Sequence, residues 1–165
     1  YNTMKWTTSK GEDKFRRGLY TYLKRTSPYP TMTAFDAPSR EICTARRIRS
    51  NTPLQALVTL NDPVYVEAAQ ALARKLILSS NDDEKRIQKA YEMALSRKAE
   101  STEIEAIKQL LAERTQFYQN NPTEAQQMAE NPLGKVPAKV TTAEAAAWTT
   151  VCNVILNLDE FLTKE

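Results

Sequence analysis

Two cap-and-proline pairs, Thr52-Pro53 and Asp62-Pro63, constrain this chain more than any other feature in it. A Thr or Asp side chain accepts the orphan N–H groups of a first helical turn, and proline suits the first helical position because its missing N–H costs nothing there. The spacing predicts a short helix over LQALVTL that runs to Asn61, then a second helix opening at VYVEAAQALARKLIL. The second helix carries Tyr65, Ala69, Leu72 and Leu76 on one face, with alanines that permit close helix contact. Asn61-Asp62-Pro63 therefore reads as a break between two helices rather than a kink in one.

Helix-start chemistry recurs downstream. Asn81-Asp82-Asp83 places acids at the positive end of a third helix, whose stripe is Ile87, Ala90, Tyr91, Ala94 and Leu95. Thr102 and Glu105 have capping-box spacing and open a fourth helix with Ile104, Ile107, Leu111 and Tyr118 inward. With Ser96 to Glu100 as the turn, these two predict an antiparallel hairpin. Thr141 and Glu144 repeat the spacing before a last helix with Trp148, Val151, Cys152 and Ile155 on one side and Phe161 as a closing anchor. Residues 120–141, broken by Pro122, Pro132, Gly134 and Pro137, predict a mobile loop with helix at most over 123–130.

The first fifty residues follow other rules. Alternation around Met4 and Trp6, and again from Phe15 to Leu23, predicts a β-hairpin with strands near 3–8 and 14–24. A helix starting at Glu12 is the rival, since Phe15, Leu19 and Tyr22 also fit a helical stripe. Pro28 and Pro30 make 26–38 an extended strap, with Tyr29, Met32 and Phe35 tucked inward. The fold class is thus mainly α, about five helices with an N-terminal β-hairpin and an extended Pro-rich strap, in a single domain over 1–165. Only three glycines stand against a sandwich or barrel.

Composition removes several chemistries. The chain has no histidine, which rules out Ser-His and Cys-His dyads, histidine metal ligands and a histidine general base. Cys43 and Cys152 are too few for a Cys-rich zinc site and read as two buried thiols, and no CxxCH haem attachment is present. No apolar run approaches the roughly 18 residues of a membrane span, and Tyr1 does not open a signal peptide. Residues 1–50 hold 11 Lys/Arg against 4 Asp/Glu, whereas 51–165 hold 12 against 16. That asymmetry is that of a basic binding face or of two halves that attract each other.

The candidate site residues lie between Phe35 and Asp62. Arg40, Arg46, Arg47 and Arg49 compose an anion site for phosphate, sulfate or carboxylate, because a guanidinium reads planar oxyanions through two parallel bonds. Against it stands ion pairing with Asp36, Glu41 or Asp62, which would pin an irregular segment without any ligand. Paired carboxylates among Asp36, Glu41 and Asp62 would suit glycoside hydrolysis, but capping explains Asp62 and a turn before Ala37-Pro38 explains Asp36. Arg16, Arg17, Tyr20, Tyr22, Lys24 and Arg25 interleave bases with aromatics as single-strand nucleic-acid surfaces do. Against this, Lys and Arg stems commonly cover exposed strand faces, and the modest net charge of +3 argues against nucleic acid as a partner. No catalytic set and no metal site emerges.

GEDKFRRGLYTYLKRT, FDAPSRE, CTARR, NTPLQALVTLNDPVYVEAAQALA and the closing NVILNLDEF, occurring in that order, resemble the planctomycete-type cytochrome-associated family, a C-terminal domain of unknown function. The resemblance covers Gly11 to Leu78 plus the final helix and leaves 79–141 as its variable stretch. It implies the C-terminal part of a large exported protein, periplasmic or at the cell surface, often with a cytochrome-c-like domain upstream. Any haem would belong to that upstream domain, so no cofactor is expected here, and the expected partners are upstream domains of the same polypeptide. It transfers no catalytic residue. The reading is a non-enzymatic module that docks onto or completes an upstream domain; the alternative is part of an enzyme cleft for polysaccharide breakdown, with the arginines as its anion site and carbohydrate as its partner.

Overall fold

The computed structural model describes residues 9, 11–22, 24, 27–39, 41–46 and 50–163. The chain divides into two compact units, residues 1–50 and 51–165.

The described part of the first unit contains no strand. The expected strand at 3–8 lies outside the described residues. Where the second was expected, the backbone forms two 3-10 helices, Gly11–Phe15 and Gly18–Tyr20. Local bonds account for the difference. The Arg16 N–H donates to the Asp13 carbonyl at 3.3 Å, Tyr20 to Arg17 at 2.9 Å and Thr21 to Gly18 at 3.1 Å. Gly11 sits at φ +63°, a left-handed entry that costs glycine little. A Cβ on Gly18 would meet Met32 Cε at 3.0 Å, so the missing side chain permits that approach. The rival helix from Glu12 is closer to what forms.

The strap is not extended throughout. Pro30 occupies the first position of a short helix, α1 (Pro30–Ala34), where its ring and missing N–H cause no conflict. Met32 and Phe35 are half-buried as expected, whereas Tyr29 is exposed.

The second unit is helical: α2 (Pro53–Asn61), α3 (Pro63–Ser79), α4 (Asp83–Leu95), α5 (Ser101–Asn120), α6 (Pro122–Glu130), α7 (Thr142–Ile155) and α8 (Asp159–Leu162). That makes eight helices among the described residues, more than the five expected, because the strap, 120–141 and the closing segment each contribute one. The predicted caps open four of them. Thr52 forms a reciprocal box with Gln55, the Gln55 N–H donating to Thr52 Oγ1 at 3.3 Å and the Thr52 N–H to Gln55 Oε1 at 3.0 Å. Asp62 accepts from Val64 N–H at 2.9 Å, Asp82 from Glu84 N–H at 3.0 Å, and Thr141 from Glu144 N–H at 3.2 Å. α5 differs: it starts at Ser101, and Glu103 rather than Glu105 reaches back, accepting the Glu100 N–H at 2.8 Å.

α7 is the centre of the core, packing most extensively against α3, α6 and α5. Ala145, Ala146 and Ala147 are fully buried and let those neighbours approach, and Trp148, Val151, Cys152 and Ile155 fill the space between them. Ile104, Ile107, Leu111 and Tyr118 of α5, and Ile87, Ala90 and Tyr91 of α4, are buried as their spacing predicts. Cys152 is buried and Cys43 exposed, both free, so only one of the two thiols expected in the interior is there.

Residues 131–134, expected as part of a loop, are tied to α3. The fully buried Gln70 donates to the Met128 and Asn131 carbonyls, each at 2.8 Å, and accepts from Leu133 N–H at 3.0 Å. Arg74 adds bonds to the carbonyls of Ala129, at 2.9 Å, and Gly134. Among the described residues no helix is long and apolar enough to cross a membrane.

Candidate functional site

α2 is turned inside out. Its interior side carries Gln55 and Thr59, 2% and 1% exposed, while Leu54 and Leu57 are each 58% exposed and Leu60 is 38% exposed. At about 100° per residue the three leucines and the Gln55–Thr59 pair are centred on opposite sides of the helix. No charged residue interrupts the leucine side between Asn51 and Asn61. A helix packing on an apolar core would by the hydrophobic effect alone bury the leucines and expose the amide and hydroxyl. The reversal needs polar partners inside, and the structure supplies them.

Those partners come from the end of the chain. Asn153 of α7 donates from Nδ2 to the Leu60 carbonyl at 3.1 Å. The Thr59 hydroxyl donates to Asn157 Oδ1, just beyond α7. Asn51 Nδ2, next to the α2 cap, donates to Asp159 Oδ1 of α8 at 2.6 Å. Gln55 is occupied with the Thr52 cap described above. Each interior polar group on this side of α2 therefore has a hydrogen bond, which removes the desolvation penalty that would otherwise turn the helix over.

α8 is held in turn. Arg97, in the turn between α4 and α5, donates from Nε and Nη2 to Glu160 at 2.8 Å each, and from Nη1 and Nη2 to Glu103 at 2.8 Å each. Its guanidinium also lies 5.3 Å from the centre of the Tyr91 ring. These hydrogen bonds from Arg97 hold the Glu103 and Glu160 carboxyls below their ordinary range. Leu158 and Phe161 complete the attachment by packing on the core.

The residues singled out in the sequence lie elsewhere. Arg40, Arg47 and Arg49 fall outside the described residues. Arg46 and Glu41 are exposed in the first unit, and Ser39 Oγ accepts the Glu41 N–H at 3.3 Å. Asp36 adopts φ +55°, the left-handed turn geometry that Asp tolerates, and its carboxylate accepts the Ser50 hydroxyl. Asp62 belongs to the second unit as the cap of α3, and after burial it is the second cause that raises the Tyr65 phenol. Among the described residues no ion pair joins Arg46 to Asp36 or Glu41. Among them, too, no group of three or more His, Cys, Asp or Glu side chains is arranged to hold a metal ion.

One open depression of about 570 Å³ lies where α5, α6 and α7 meet, lined by Tyr118, Gln119, Pro122, Gln126, Glu130 and Thr142. Its single carboxylate, Glu130, accepts from Gln126 Nε2 at 3.0 Å and from Val136 N–H at 3.3 Å, which hold its carboxyl below the ordinary range. One such group does not make the acid-and-base pair that glycoside hydrolysis requires.

The leucine side of α2 was not found from the sequence. Its signal was present in the polar pair Gln55 and Thr59 set four apart among leucines, but hydrophobic periodicity assigns such leucines to the interior.

Residues 1–111 match the family model PSD1, described as "Protein of unknown function (DUF1553)". The match contains the Gly11–Leu78 stretch that carried the sequence resemblance, runs on through α4 into α5, and stops before the closing helix. No curated protein and no solved structure matches the chain.

Proposed function

The chain belongs to the PSD1 family of proteins of unknown function, and from that premise we propose that it is a non-enzymatic docking module, attached through the leucine side of α2 to a preceding domain of a larger polypeptide. The outward Leu54, Leu57 and Leu60, on a helix whose interior face is polar, carry the reading. Covering Leu54 and Leu57 fully would contribute about 1–2 kcal/mol each, enough to favour attachment between domains already joined in one chain. Exposed apolar surface of this kind marks interaction sites more often than chance.

The resemblance to planctomycete-type cytochrome-associated proteins supports the choice of partner. On that reading the parent is exported, periplasmic or at the cell surface, the chain is its C-terminal module, and any haem sits in the preceding part.

A photo-crosslinking amino acid placed at Leu57 in the parent polypeptide tests the proposal. Crosslinks are expected to residues that precede Tyr1 within the same molecule. Crosslinks only to other molecules, or none at all, would overturn it.

A further inference from the structure

We propose that the segment from Asn153 to Phe161 is a clamp that keeps the leucine side of α2 turned outward, and that Arg97 is the residue that sets the clamp. The inference rests on the reading of α2 as the docking face, since it explains how that face is kept available. Three side chains of this segment reach α2 or the residue before its cap: Asn153 to the Leu60 carbonyl, Asn157 to the Thr59 hydroxyl and Asp159 to Asn51. They meet the helix just before its cap and at two adjacent residues of its last turn, and the Thr59 contact lies on the side away from the leucines. Rolling α2 to bury its leucines would break all three and leave Gln55 and Thr59 facing water.

The segment has its own fixed point. Glu160 reaches not to α2 but to Arg97, which holds it through two parallel bonds and holds Glu103 of α5 in the same way. A guanidinium gripped by two carboxylates in this geometry is stronger than a single exposed ion pair. Glu103 is itself fixed by the Glu100 N–H at the start of α5. Force therefore runs from the first turn of α5 through Arg97 and Glu160 to α8, and from α8 to α2. The polar partners of Arg97 are Glu160, Glu103 and the Lys98 carbonyl, none of them on α2, and it acts as a positioning residue through the clamp.

Amide hydrogen exchange on the whole chain, read by mass spectrometry helix by helix, tests this. The variants are Glu160→Gln and Asn157→Ala, with Lys108→Ala as reference because Lys108 pairs with Glu84, outside the clamp. Glu160→Gln is expected to speed exchange in α2 on the order of tenfold, although the substituted side chain bonds Arg97 and not α2, while α6 keeps its protection. Asn157→Ala, which removes a direct partner of Thr59, is expected to act in the same direction. Exchange in α2 matching that of Lys108→Ala in both variants would overturn the proposal. So would a uniform rise across all helices, which would make Glu160 a general stabiliser and not part of a clamp. The crosslink at Leu57 reads the parent polypeptide and this experiment reads the chain alone, so failure of docking and failure of the clamp are separately visible.

Discussion

Arg86 carries its charge almost out of contact with water, its side chain 7% exposed. It bonds Asp83 at 3.1 Å, Glu144 at 3.0 Å, and the carbonyls of Ser80 and Ile77 at 2.6 and 3.2 Å, with the Trp148 ring 5.5 Å away. One side chain thereby closes the end of α3 and joins the starts of α4 and α7. Replacing it by Met keeps much of the stem but orphans two carbonyls and two carboxylates, so Arg86→Met should lower stability by about 2–4 kcal/mol. The midpoint of urea unfolding measures it, with the slope unchanged if the fold is kept. Nothing in the sequence marked Arg86, because its partners lie on three separate elements. The caps at Thr52, Asp62, Asp82 and Thr141 were readable because each acts within three residues of itself. Residue-scale features were legible where they were local and hidden where the fold assembled them.

At the scale of elements, stripes on α4 and α5 were readable because those helices bury apolar residues on one side, as the hydrophobic effect requires, whereas α7 carries the expected Trp148, Val151, Cys152 and Ile155 inside but is buried on every side. α2 was readable as a helix but not in its orientation, which depends on Asn153, Asn157 and Asp159 roughly a hundred residues later. The expected hairpin failed for a related reason. A strand needs a partner ladder, while 3-10 turns need only neighbours, and the alternation from Phe15 to Tyr22 fits both.

The attachment of α8 has a pH dependence of definite sign. The hydrogen bonds from Arg97 lower the carboxyls of Glu160 and Glu103 in the folded chain, so on acidification the unfolded chain takes up protons first. Stability from this anchor is complete above the ordinary carboxyl range, about pH 5, and is lost as the pH falls through the lowered folded-state values. Urea midpoints taken from about pH 6 to about pH 3 should fall in the native chain and fall less in Glu160→Gln. An equal fall in both would place the acid sensitivity elsewhere.

For the whole molecule, the mainly helical class was plain from the sequence, and the charge boundary at residue 50 coincides with the division into two units. Less plain was that the core is built around α7, which lies beyond the 111 residues matched by the family. The segment that keeps α2 turned outward also lies there, so family-matched residues carry the face and later residues present it. Of the candidate site, the stretch ending at Asp62 drew attention for its arginines, while the face itself sat just inside it, on the helix between Pro53 and Asn61.

The most direct test is the urea midpoint of the double variant Leu54→Lys with Leu57→Lys, measured in this chain alone and in the parent polypeptide. Both side chains face water here, so the chain alone should keep its stability within about 0.5 kcal/mol. In the parent the same pair should lower it by about 2–3 kcal/mol, because two leucines leave an interface. A comparable loss in the chain alone would mean that the leucines are packed within it, and no loss in either would mean that nothing docks on α2.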